Sequence, residues 1–337
     1  MSHLSTCFVA LAASIMLAIP QSSHAKDDVI RVGIIGCDTS HVVAFTKLIN
    51  DSKATGALAN IEVTAAFPGG SPDLPGNDDL IARYVKQLRE KGIKIADSLE
   101  QLASETDAIL LESVDGRPHL EQFRAVAKGK PVFIDKPTAA SLADVISVFH
   151  LAGETHTPMF SSSALRFCKE VQESAHNKTI GKIIGCETIS PLKLQEFHPD
   201  LFHYGIHGVE PLFAIMGTGC ESVSRTDSPL MTVVVGKWKD GRIGSYRGLK
   251  HGSKYAFTTV GEKGIAQRSG FSGYDATVDE IGKFFVGGKP PVSREETIEI
   301  YAFMEAADES KRLGGKPVEI AGIIEQAQSK SAAANKK

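Results

Sequence analysis

The sequence predicts an α/β protein of two domains: an N-terminal Rossmann-type, doubly wound parallel sheet and a C-terminal α+β domain with an open, mostly antiparallel sheet. Two observations carry this. From residue 28 to about 163, short apolar runs alternate with runs of helical period, as repeated β-α units do. From about 164 the rhythm changes to successive strands, with Asp-Gly in "WKDGRI" and the turn "GEKG" at 261–264 marking hairpins.

In the first half, strands are predicted at 29–35, 61–67, 93–96, 107–113, 131–135 and 158–163. Helices are predicted at 41–51, 78–91, 98–104, 118–128 and 141–153. The first strand is the buried run Val29, Ile30, Val32, Ile34, Ile35, and the first helix carries Val42, Val43, Phe45, Leu48 and Ile49 at helical spacing. Asn77 and Ser98 stand where helix N-caps belong, and Gly92 and Gly129 follow the helices they end. In the second half a helix at 164–176 leads to a strand at 182–190 and a His-rich loop and helix at 192–216. Strands follow at 221–227, 230–239, 242–249, 254–260 and 264–269, then a long helix at 294–313 that Gly314 ends. The domains are drawn at 26–155 and 156–325, and the polar tail 326–337 is expected to be disordered.

Composition narrows the partners. The 337 residues are 42% hydrophobic and carry a net charge of −3 with no Lys/Arg run, which argues against nucleic acid and an anionic membrane surface. Residues 1–25 read as a removed Sec-type signal: "CFVALAASIMLAIP" is short for a bilayer span, and Ser23 and Ala25 suit a cleavage site. A retained anchor is the alternative. The expected location is periplasmic or secreted, with no membrane contact after cleavage. Cys37, Cys168, Cys186 and Cys220 remain, and their irregular spacing reads as small buried hydrophobes better than as disulfides.

The turn after the first strand lies in "GIIGCDTSH", residues 33–41. A nucleotide-binding turn belongs there, normally G-x-G-x-x-G. Gly36 keeps the first glycine, while Asp38 and His41 stand where the second and third would be.

Four stretches then fall in one register. "HLEQFRAVAKGKPVFIDKPTAAS" sets a helix, Gly-Lys, a buried strand and an acid before Lys-Pro; "SVDGRPH" precedes it, "SSSALRF" follows, and "HYGIHGVEPLF" lies further on. Together they resemble the glucose-fructose oxidoreductase, inositol dehydrogenase and MocA family over nearly all of the mature chain. The resemblance implies that Lys136, in place of the lysine of E-K-P, hydrogen-bonds the reacting hydroxyl at the nicotinamide end of the sheet. Asp135, in place of the glutamate, would hold the cofactor's ribose or orient that lysine, and a cis peptide would precede Pro137. An exposed lysine at a strand end is the alternative.

In the family's D-x-G-x-H-x-x-D element, His207 falls on the histidine, Glu210 on the last acid, and His203 replaces the first Asp. Four residues apart on a helix, His203 and His207 share a face. Three readings compete for them: proton handling by a histidine titrating near neutrality, a zinc-like site with Glu210 and His198, and a structural role. Register with the family favours the first. His203 with Tyr204 would then tune His207 or bind a neighbouring hydroxyl, and Arg166 in "SALRF" is either a substrate contact or a surface or helix-start arginine.

The resemblance also implies a cofactor cradle in which Gly36, Asp38, Thr39, Ser40 and His41 meet a pyrophosphate at a helix N-terminus. His119 keeps its family place, while Asp115-Gly116 replace the usual Pro-Asn. The second strand ends in Phe67-Pro68-Gly69-Gly70-Ser71-Pro72, without the carboxylate that holds an adenosine ribose, so neither NAD nor NADP is marked. What is implied is an NAD(P)-dependent oxidoreductase that acts on the hydroxyl of a sugar, polyol or glycoside by hydride transfer. Its NAD or NADP would be tightly held, and it would form a homo-oligomer through the second sheet. Two alternatives stand beside it: a redox-neutral, NAD-assisted glycosidase or lyase, and a degenerate sugar-binding module.

Overall fold

A computed structural model of the chain describes residues 29–71 and 73–334. The signal segment expected at 1–25 lies outside the described residues. Six strands form the first sheet: β1 (Ile30–Ile35), β2 (Ile61–Phe67), β3 (Lys94–Ile95), β4 (Ala108–Leu111), β5 (Val132–Asp135) and β6 (Met159–Ser162). All pair in parallel, in the order β3-β2-β1-β4-β5-β6. Val32, Ile34, Leu110 and Phe133 point to one face of this sheet, and Ile35, Ile109, Leu111 and Ile134 to the other. Both faces are covered, which is why these strands read as continuous apolar runs. The strand order reverses between β1 and β4, and such a switch point opens a crevice at the carboxyl ends of the strands.

Helices α1 (His41–Ile49), α2 (Asn77–Glu90), α3 (Leu99–Glu105), α4 (His119–Val126) and α5 (Leu142–Glu154) connect the strands. Ser98 and Ser141 cap α3 and α5 by accepting the backbone N–H groups of Gln101 and Asp144. Asn77 does not cap α2: Gly76, at φ 75°, takes that place, and the Asn77 side chain turns inward.

The second sheet contains β7 (Ile183–Pro191), β8 (Cys220–Asp227), β9 (Met231–Trp238), β10 (Ile243–Leu249), β11 (Ala256–Gly261), β12 (Gly264–Ser269) and β13 (Val318–Glu319). Only β7 and β10 pair in parallel; the order is β12-β11-β7-β10-β9-β8-β13. Asp240-Gly241 turns β9 into β10, with Gly241 at φ 86° as the hairpin needs. Helix α6 is Lys169–Ala175, preceded by a separate 3-10 turn at Ala164–Phe167, so the single helix expected at 164–176 is two pieces. Helix α7 (Ile206–Met216) and the long α9 (Arg294–Arg312) pack on one face of this sheet. The four cysteines are buried thiols.

Three further features depart from expectation. The strand β6 pairs with β5, so the first sheet extends past the boundary drawn at 155/156. Helix α8 (Asp275–Phe285), unseen in the sequence, returns from the second half and lays Val278, Ile281 and Phe284 on the β1 face of the first sheet. The tail is not disordered through Ala334: residues 326–334 continue α10 (Ile320–Ala334), with Ala327 and Ser331 buried. Ala and Ser leave a narrow helix face that fits against α5, where the Ser147 and Ser331 hydroxyls meet at 2.7 Å.

Candidate functional site

The carboxyl end of β5 delivers Asp135, Lys136 and a cis peptide before Pro137 to the mouth of a 310 Å³ cavity between the two domains. Thr39 and Ser40 from the β1–α1 turn, His41 at the start of α1, Val114 from the loop after β4, and His203, Tyr204 and His207 from the segment that opens α7 complete its walls. His203 lies in the turn before α7, not on the helix. Even so, both histidines face the same cavity.

Burial and neighbours set the charge state of these groups. Ser163 Oγ lies 2.7 Å from His207 Nδ1, which leaves Nε2 as the ring nitrogen open to the cavity. Burial, reinforced by the nearby Lys136 charge, holds the His207 pKa well below the usual histidine value, so the expectation of titration near neutrality is corrected. The same two causes push His203 down to about 3. Lys136 is 8% exposed, and no hydrogen bond or ion pair among the described residues engages its Nζ. A buried ammonium without a protein partner beside a neutral imidazole is arranged to meet a ligand oxygen.

Asp135 is committed elsewhere. His41 Nδ1 donates to its Oδ2 at 2.7 Å, and the His41 ring stacks on Phe45 and meets the edge of Tyr274. Burial opposes the Asp135 charge, but His41 and Lys136 hold its pKa below the usual carboxylate value. Glu112 sits one step beyond the Leu111–Ile134 register pair, beside Asp135 on the neighbouring strand. Its carboxyl is fully buried and neither oxygen has a hydrogen-bond partner. Burial first, and Asp135 second, raise its pKa well above normal, so the protonated form belongs to the fold. Stability from this raised pKa is complete below the unfolded-state value and is lost as pH rises through the folded one. Glu112→Met should therefore stabilise the chain by about 1–3 kcal/mol at alkaline pH and by less at pH ~5. Urea unfolding at the two pH values checks this; a loss of stability at both would show that Glu112 has a polar partner.

Several expected site residues are placed differently. Arg166 does not reach the cavity: its Nε and Nη2 bind Glu210 Oε2 at 2.6 Å and Glu296 Oε1 at 2.5 Å. Glu210 is thereby also turned from substrate to structure, and the zinc-like set with His203 and His207 is broken. His119 is buried between the Ser113 and Thr138 carbonyls and fastens the loops after β4 and β5 together. Asp38 is 3% exposed; its Oδ1 accepts the Val114 N–H at 3.1 Å and its Oδ2 the Asn77 side-chain N–H at 3.3 Å. Gly36 makes the tight turn at φ 88°, where a Cβ would lie 2.4 Å from Ser113 N.

The cavity also holds residues that the sequence did not mark. Tyr255, Phe271 and Tyr274 form its far wall, and the Tyr204 and Tyr255 hydroxyls lie 3.5 Å apart. No spacing rule predicts them, because they arrive from the residue before β11 and from the segment that leads into α8. A wider, 860 Å³ depression lies along α9 and α10, lined by mixed surface charges and remote from Lys136 and His207.

The fold is that of known two-domain dehydrogenases. No protein-family model matches the chain. A solved structure described as a "probable dehydrogenase" from Thermotoga maritima superposes with TM-score 0.70 at 20% identity, over 87% of this chain and 100% of that one. The scyllo-inositol dehydrogenase of Lactobacillus casei, solved with NAD(H) and scyllo-inositol, gives TM-score 0.68 at 13% identity, over 87% and 99%. An oxidoreductase from Agrobacterium radiobacter, solved with NAD+, L-tartaric acid and magnesium, gives TM-score 0.69 at 14% identity, over 87% and 99%. An uncharacterized oxidoreductase from Streptococcus pneumoniae serotype 4 is 25% identical over 168 residues, 45% of this chain and 44% of that protein.

A dinucleotide in this fold crosses the switch-point crevice, with its pyrophosphate on the first helix N-terminus and its adenosine ribose at the end of the second strand. The nicotinamide end fits, since Thr39, Ser40 and Lys136 border an open cavity. The adenosine end does not. There Ser71 Oγ donates to Asp115 Oδ2 at 2.5 Å, Arg117 forms two bonds to Asp73 at 2.9 and 3.0 Å, and the Cys37 N–H is taken by the Pro68 carbonyl at 2.6 Å.

Proposed function

We propose that this chain is a carbohydrate-processing enzyme on the dehydrogenase fold, with Lys136 holding an oxygen of the reacting carbon and His207 Nε2 exchanging its proton. The observation that carries this is the pairing, in one 310 Å³ cavity, of an unpartnered buried lysine with a histidine whose Nδ1 is fixed by Ser163. That volume is at the low end for small-molecule sites, which run to about 300–1,000 Å³, and suits a monosaccharide or cyclitol. Tyr204 and Tyr255 supply hydroxyls for a polyhydroxylated ligand, and Phe271 an apolar ring for its C–H face. The inositol, tartrate and NAD named for the structural relatives support an oxidoreductase acting on a small polyol. The crossed loops at the adenosine end favour a second reading, proton transfer without hydride transfer. Calorimetric titration with myo-inositol, scyllo-inositol and common aldoses tests the site, and an assay with and without NAD and NADP separates the reactions. No binding to wild type at millimolar ligand would defeat the proposal.

The pH dependence follows from burial. Because the His207 pKa is held below the ordinary value of about 6.5, the neutral base persists as pH falls through that value. The kcat/KM should stay level there, and the His207 ring resonance should not titrate by NMR. A ring titration centred near ~6.5 would contradict the burial argument.

The apolar side chains Ile184, Ile243 and Ile265 on the second sheet, 45%, 57% and 67% exposed, support a homo-oligomer formed through that sheet. Light scattering checks this, and a monomer at micromolar concentration would defeat it.

A further inference from the structure

We propose that Gly69, Gly70 and Ser71, which follow β2, permanently fill the adenosine half of the crevice, so that the cleft works by proton transfer alone on a sugar that already carries a carbonyl. The inference rests on the Lys136–His207 site proposed above.

A dinucleotide needs the loops after β1, β2 and β4 to stand apart, with free N–H groups and no negative charge facing its phosphates. This chain departs from that on loop spacing and on charge. The Asp38 carboxylate spans from the Val114 N–H to Asn77, and Asn77 Nδ2 also binds the Ser71 carbonyl at 3.1 Å. Gly69 and Gly70 rest directly on the first turn: a Cβ at Gly69 would stand 3.1 Å from Gly36 Cα, and one at Gly70 3.5 Å from Asp38 Oδ2. Ser71 and Arg117 then clamp Asp115 and Asp73, and His198 Nε2 reaches Asp115 Oδ1 at 3.0 Å from the second domain. A phosphate would meet two buried carboxylates, Asp38 and Asp115. The guanidinium of Arg117 is spent on Asp115 and Asp73.

With that half closed, the chemistry left to the cavity is acid–base chemistry next to a carbonyl. The Lys136 ammonium donates a hydrogen bond to the carbonyl oxygen. His207 Nε2 takes the proton from the adjacent carbon. The C–H electron pair becomes the C=C bond of an enolate whose charge lies on the oxygen held by Lys136. Return of the proton to the same carbon from its other face gives the epimer; its delivery to the former carbonyl carbon, with the adjacent hydroxyl proton passing to the oxygen held by Lys136, gives the isomer, and neither consumes an oxidant or reductant.

The test uses the purified chain. It is denatured and the supernatant searched by mass spectrometry for NAD(H) and NADP(H); native protein is titrated with NADH by fluorescence, then incubated with dihydroxyacetone and D-fructose in D2O and followed by NMR. Expected are no dinucleotide, no NADH binding at millimolar concentration, and enzyme-dependent C–H exchange that falls at least about tenfold in Lys136→Met. Stoichiometric dinucleotide, or saturable NADH binding, would overturn the closed crevice. No dinucleotide and no exchange would overturn the carbonyl chemistry while leaving the closed crevice supported; the Lys136–His207 reading is decided separately, by the ligand titration described above.

Discussion

Replacing His207 by Asn is expected to lower kcat by about 10²–10⁴-fold on whichever sugar or polyol the binding screen identifies, with little change in KM. The imidazole is buried, oriented by Ser163 through Nδ1, and kept neutral by burial and by the Lys136 charge. Asparagine can keep a hydrogen bond to Ser163 but cannot take up a proton, so the loss should appear in turnover and not in folding. His203→Asn should cost less, because His203 lines the cavity from the turn before α7 without an orienting partner on its Nδ1. Steady-state kinetics and thermal melts of both variants check this. A His207→Asn enzyme with wild-type turnover would move the proton-accepting role to another group and leave the cavity as a binding site only.

Replacing Arg166 by Met is expected to cost about 3–5 kcal/mol of stability. The Arg166 side chain is 8% exposed and bridges Glu210, at 2%, to Glu296, at 19%, so solvent screens little of the interaction. Burial works against the Arg166 charge, but Glu210 and Glu296 hold its pKa above the ordinary arginine value. Removing the guanidinium leaves Glu210 charged in the interior or forces it to take a proton. Arg166→Met with Glu210→Gln should recover part of the loss, since the pair is coupled through one contact. By contrast, Lys169→Met, which breaks an exposed pair with Glu173, should change stability by no more than about 1 kcal/mol. Denaturant unfolding of the three variants settles the matter. An Arg166→Met protein of wild-type stability but weakened ligand binding would return Arg166 to the substrate pocket, one of the two places "SALRF" offered it by sequence alone.

The sequence by itself determined the order of strands and helices through β12, the two-sheet architecture and the place of Lys136 at the end of a buried strand. Those features follow from local chemistry: apolar periodicity, Ser98 as a cap, Asp240-Gly241 as a turn, and the Lys-Pro step after β5. Helix α8 was invisible because its apolar residues answer to the first sheet, more than a hundred residues away in the chain, and the ordered tail because its helix is held by Ser147 on α5. Pairing decided the site as well. Arg166 and Glu210 look like pocket residues until each is seen to neutralise the other, and Asp38 looks like a phosphate contact until its carboxylate is found spending itself on Val114 and Asn77. A charged or polar side chain carries its chemistry in the sequence, but burial leaves it only the partners within reach. Those partners are fixed by tertiary structure.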